Sequence, residues 1–109
     1  MVKITDLHMK PSTFGSLGEP EQLLGIAAEI NSGHIQHGVW ESGPGELVLH
    51  FQWSETVYIL DGQAELENLE TNERVRLSTG SMMSFERGSS WRWRIPWKLK
   101  KVFTIVEHD

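Results

Sequence analysis

The chain of 109 residues contains no cysteine, so it has no disulfide framework, no zinc knuckle and no thiol nucleophile. That absence fits a reducing compartment, and a cytoplasmic setting is expected. No stretch approaches the run of apolar residues that a membrane span requires, and the start Met1-Val-Lys-Ile-Thr-Asp-Leu-His8 lacks the basic segment and apolar run of a signal peptide. No membrane association is expected. Glycine-rich phosphate loops, internal repeats and low-complexity tracts are also missing, which removes nucleotide cofactors and repeat scaffolds from consideration. Positive charge is scarce: Lys and Arg number 10 against 15 Asp and Glu, and the net charge of −5 argues against general nucleic-acid binding. What the chain has in quantity is tryptophan, five residues in a length suited to a single domain with one core.

Period-2 patterns and turn signals outnumber helical ones. Lys10 to Pro20 is rich in Gly, Pro and Ser and reads as an irregular surface arm. Glu21 to Ile30 has two readings. Pro20 at a first turn, with Leu23, Ala27 and Ile30 on one face, suggests a short helix, but Gly25 costs about 1 kcal/mol in a helix interior, and a strand from Gly25 to Ile30 is the better reading. Asn31-Ser-Gly33 turns into a strand from His34 to Glu41, and Ser42-Gly-Pro-Gly45 turns into Glu46 to Phe51. Further strands are expected over Glu55 to Leu60, Gln63 to Leu69, Arg74 to Leu77, Met82 to Phe85, Trp91 to Ile95 and Leu99 to Val106, with Asp61-Gly62 as a turn between the first two. Strands this short and this evenly spaced mean an all-β antiparallel barrel or sandwich. The expected organisation is an N-terminal arm over residues 1–24, packed on a single domain over 25–109.

One stretch resembles a known motif. Glu55-Thr-Val-Tyr-Ile-Leu-Asp-Gly62 is similar to the end of the first motif of cupin β-barrels, in which two His separated by one residue precede the Glu. His50 stands where the second His belongs, and Val48 replaces the first. After the second-motif turn, here Glu86-Arg87-Gly88, Trp91 stands where a further His is usual. From Gly38-Val-Trp-Glu41 through this motif to Trp91-Arg-Trp-Arg94 and Lys100-Lys-Val-Phe103, the chain resembles the small single-domain cupins related to ethanolamine-utilisation cupins and ureidoglycine aminohydrolases. The resemblance implies a cupin-type antiparallel β-barrel, or jelly roll, with a degenerate metal site.

Alternation along the strands assigns faces. With Glu55 pointing inward as the resemblance implies, Val57 and Ile59 follow it, and Thr56, Tyr58 and Leu60 face outward. Val48 and His50 share one face of the preceding strand and Leu47, Leu49 and Phe51 the other. An outer face of Leu47, Leu49, Phe51, Tyr58 and Leu60 would be an apolar patch, from which a homodimer is expected, the alternative being that the arm covers it. Trp91, Trp93 and Ile95 take the inner face of their strand and Arg92 and Arg94 the outer, where with Lys98, Lys100 and Lys101 they form a basic cluster. Alternation separates the indoles from the guanidinium groups, so the cluster reads as a solvated face that pairs with Glu, across a dimer, rather than a nucleic-acid platform.

His50 and Glu55 are the catalytic candidates, as an acid–base pair. Trp91, Trp93, Trp40, Trp53 and His37 are the ligand-binding candidates, the indoles offering stacking and cation–π contacts. No cofactor is expected; a divalent metal, if bound, would take His50, Glu55 and His37. Three functions follow. The leading one is a small-molecule-binding cupin that holds a small polar, amine-containing metabolite. The others are an enzyme acting on a small amine, ureido or sugar-type substrate, with Glu55 and His50 as acid–base pair or as ligands of a divalent metal, and a structural or interaction module supported by the apolar outer strand face. The structural alternative for the site itself is that Glu55 bonds backbone groups and the indoles fill the core. Ser89, Ser90 and Thr79 read as turn residues, Met82 and Met83 as packing, and His8, His34 and His108 carry no chemistry.

Overall fold

The computed structural model describes residues 9–12, 20–30 and 34–107. His8, His108, the turn at 31–33 and most of the expected arm lie outside these residues. The described chain forms nine strands and no helix: β1 (Lys10–Ser12), β2 (Gln22–Ile30), β3 (Ile35–Ser42), β4 (Gly45–His50), β5 (Ser54–Asn68), β6 (Arg74–Ser78), β7 (Met82–Phe85), β8 (Ser90–Ile95) and β9 (Leu99–Val106). Every pairing is antiparallel. The helical reading of 21–30 is therefore set aside, and β2 begins at Gln22, three residues before the strand expected from Gly25.

Two sheets share β5 and curl around one core. The front sheet runs β1-β2-β3-β9-β5-β7, using the first half of β5, and the back sheet runs β4-β8-β5-β6, using the second half. Asp61-Gly62 is thus a corner within one strand of 15 residues rather than the turn expected there. The register against β9 slips between Ile59 and Asp61, which leaves Leu60 as an extra residue. One inserted residue reverses the alternation: Val57 and Ile59 are buried before the bulge, Ala64 and Leu66 after it. Gly62 has φ 102°, and a Cβ at this position would meet the Lys98 carbonyl oxygen at 2.1 Å. Beside it the Lys98 ammonium bonds Asp61 at 2.8 Å and holds this carboxyl below the usual carboxylate range.

The core is built on Phe51, Phe85, Trp91 and Trp93. Phe51 and Phe85 stack with centroids 4.5 Å apart, and Phe85 meets the rings of Trp91 and Trp93 at 5.6 and 5.5 Å. These indoles decide the phase of β4. Register pairs Leu47 with Trp93 and Leu49 with Trp91, and directly opposed residues share a face, so Leu47 and Leu49 turn inward. Phe51 is buried too, while His50 is exposed. The face expected for β4 is therefore inverted, and the outer apolar patch loses Leu47, Leu49 and Phe51. Tyr58 and Leu60 do face solvent, at 38% and 41% exposure.

On the outer back sheet, Arg92 bonds Glu67 at 3.2 Å, Arg94 bonds Glu46 at 3.4 Å and Arg76 bonds Glu65 at 3.2 Å. The expected pairing of Arg with Glu is made, within the chain. Lys100 likewise reaches Glu41 at 3.1 Å. Lys101 does not belong to this surface: it shares the inward phase of Leu99, Phe103 and Ile105 and is buried.

Gly62→Ala combines left-handed strain with a backbone clash and is expected to cost at least about 3 kcal/mol in urea unfolding. Gly80→Ala is the control, because its φ is 94° but no atom lies within 4 Å of the added Cβ, and it should cost only about 1–2 kcal/mol. Equal losses at the two positions would remove the corner constraint.

Candidate functional site

An open cavity of about 490 Å³ lies against the inner face of the front sheet. Leu24, Leu49, Phe51, Phe103 and Ile105 supply apolar wall, and Glu55 and Lys101 supply the charged groups. This size and lining suit a small organic ligand.

Glu55 is set by the first half of β5, two inward positions before Ile59, and Ile59 lies opposite Lys101 on β9. The lysine stem spans that offset, and Nζ reaches Glu55 Oε2 at 3.1 Å. The other oxygen, Oε1, accepts a 2.9 Å bond from Trp53 Nε1. Trp53 sits on the loop between β4 and β5, which is pinned by the Phe51 amide on the Ser89 carbonyl at 2.9 Å and by the Gly88 amide on the Phe51 carbonyl at 2.7 Å. The two charged side chains are 4% and 6% exposed, so the ion pair is held almost dry. Lys101 Nζ also stands 4.8 Å from the Trp40 ring centroid and 4.6 Å from that of Trp93. Trp40 is fixed in turn by its Nε1 bond of 2.8 Å to the buried Gln22 Oε1. The cation that the aromatic residues receive is thus the protein's own lysine.

The expected acid–base pair of His50 and Glu55 is not made. Because β4 takes the opposite phase, His50 is exposed at the cavity rim, where Nδ1 bonds Ser90 Oγ at 2.7 Å. Trp40 and Trp53 line the cavity; Trp93 lies behind Lys101, and Trp91 packs in the core against Phe85. The indole N–H groups of Trp91 and Trp93 have no acceptor among the described residues. His37 is on the other side of the front sheet, bonded through Nδ1 to Thr104 Oγ1 at 2.9 Å, since its neighbour Gln36 is the one that faces the cavity. His50, Glu55 and His37 therefore cannot converge on one ion. Among the described residues no three His, Cys, Asp or Glu side chains gather as metal ligands, and the residues present do not fit the metal site usual in cupins.

Lys101 is the residue that the sequence reading missed. Its signal was present: Leu99, Lys101, Phe103 and Ile105 keep a strict alternation that puts the lysine in core phase. Charged neighbours at Lys98 and Lys100 drew it to the surface cluster instead.

A family model described as the EutQ-like cupin domain matches residues 30–103. No curated protein sequence matches the chain. Among solved structures, the EutQ protein of Clostridium difficile is similar with a TM-score of 0.71 at 14% identity, over 83% of this chain and 65% of that one. The chain thus spans slightly under two thirds of that protein. A candidate ethanolamine utilization protein Q from Salmonella typhimurium gives a TM-score of 0.72 at 13% identity, over 96% of this chain and 98% of that one. A Thermotoga maritima protein described as a predicted oxalate decarboxylase gives 0.74 at 14% identity, over 94% and 95%. At these identities the likeness is one of fold. No described helix is long and apolar enough to cross a membrane.

A buried pair is costly to break from one side. Glu55→Leu or Lys101→Met alone leaves an uncompensated ion and is expected to cost about 3–5 kcal/mol in urea unfolding. The double replacement should cost far less than the two single losses together. Additive losses would mean that the two groups do not depend on each other.

Proposed function

The chain belongs to the family of EutQ-like cupin domains, and on that premise we propose that it is a small-molecule-binding cupin whose ligand enters the front-sheet cavity. The observation that carries this reading is the caged Glu55–Lys101 pair on the wall of a largely apolar cavity. A buried ion pair is rarely worth its desolvation as a stabilising device, so its retention beside an open cavity supports a recognition role. The binding reading is favoured over acid–base catalysis because His50 and Glu55 are held by different partners.

The five indole N–H groups provide reporters. Titration with small apolar-bodied fragments is expected to move the Trp53 signal in nitrogen–proton correlation spectra and to leave the outward Trp97 unmoved, Trp97 being 69% exposed and away from the cavity. Leu49→Trp, which fills the cavity wall, should abolish the shift while the other signals keep their dispersion. An unchanged response in that variant would place binding elsewhere.

A homodimer belongs to the same reading. Its support is now the smaller outward groove where Tyr58 faces Met82 and Val102, with Met82 at 69% exposure. Sedimentation should give a dimer for the native chain and a monomer for Tyr58→Glu. A native monomer would remove this part of the proposal.

A further inference from the structure

We infer that the cavity selects an uncharged ligand, with an apolar body and a hydrogen-bond donor that is received by Glu55; the inference rests on the binding function proposed above. It comes from counting what the two charged groups have left to offer. An ammonium has three N–H donors and no acceptor. In Lys101 one donor meets Glu55 Oε2, and the nitrogen stands over two indole rings, Trp40 and Trp93. The ammonium is thus already engaged by one carboxylate oxygen and two indole rings, which leaves it less to offer a ligand than Glu55 has. Glu55 is different. A carboxylate accepts along about four directions, and among the described residues two are taken, by Trp53 Nε1 and Lys101 Nζ. The Gln36 amide also reaches the cavity, but it is neutral and both donates and accepts, so the carboxylate is the group that discriminates, in favour of a ligand that donates.

Charge balance then sets the ligand's own charge. Within the cavity wall the negative Glu55 and positive Lys101 cancel, and His50 at the rim is turned to Ser90. A protonated amine would add a second cation close to Lys101, and the aromatic cage that would receive it is already filled by the lysine. A carboxylate would face Glu55 with no Lys or Arg besides Lys101 among the described lining residues. Either leaves an unpaired charge against apolar walls, which is strongly unfavourable. An alcohol, a phenol or a primary amide avoids that cost and still reaches Glu55.

The test uses one skeleton with four heads: cyclohexylmethanol, its methyl ether, cyclohexylmethylammonium and cyclohexanecarboxylate, each titrated against the native chain with the Trp53 indole signal as readout. The alcohol is expected to bind at least about tenfold more tightly than the ether, which accepts but cannot donate, and at least about tenfold more tightly than either ion. In the double variant Glu55→Leu with Lys101→Met, the alcohol and the ether should become equal. If the ether matches the alcohol in the native chain, or if the ammonium or the carboxylate binds most tightly, the inference is overturned and the binding function stands. If no probe moves the Trp53 signal, the binding function falls with it. Should the double variant not fold, the native series alone decides.

Discussion

The interior of this protein is organised around a lysine that has been taken out of water. Lys101 stands in a strand whose other inward residues are Leu99, Phe103 and Ile105, and a lone ammonium there would be prohibitively costly. Three neighbours from different strands offset part of that cost: Glu55 from β5, Trp40 from β3 and Trp93 from β8. Each is held by further contacts. Trp53 bonds the far oxygen of Glu55, Gln22 bonds the indole of Trp40, and Trp93 packs against Phe85. The pair therefore ties both sheets and the loop before β5 to one point.

The convergence depends on β5 serving two sheets. Had alternation continued without the bulge at Leu60, the residues after the corner would present Glu65 and Glu67 to the core in place of Ala64 and Leu66. The inserted residue corrects the phase, and Gly62 lets the backbone bend where the Lys98 carbonyl leaves no room for a side chain. With the phase corrected, Glu65 and Glu67 point outward and meet Arg76, Arg74 and Arg92. The same single-residue shift therefore supplies both the core and the charged outer ladder.

The all-β architecture and most strands were legible because turn residues and two-residue periodicity are local signals. The motif from Glu55 to Gly62 was also legible, and it led to the family. Asp61-Gly62 was misread because an Asp-Gly pair is locally a hairpin signal, and only the pairing of β5 with four other strands shows that the chain continues through it. Strand β4 was misread because both of its faces carry apolar residues. Opposite Trp91 and Trp93, Leu49 and Leu47 must go inward and carry His50 out. The site was less legible than the fold for the same reason: of the named candidates, Glu55, Trp40, Trp53 and the rim residue His50 meet at the cavity, while Trp91, Trp93 and His37 lie behind or beyond its wall.

Alternation along each strand was written in the residues themselves, since the pleat sends successive side chains to opposite faces whatever the partner strand. So was the need of Glu55 for a buried partner once it pointed inward. Which cation would answer it was not, because Glu55 and Lys101 are 46 residues apart and neither has a local reason to choose the other. That choice was made by the register of β5 on β9, a contact between distant strands that brings one long side chain within reach of one carboxylate and two indole faces.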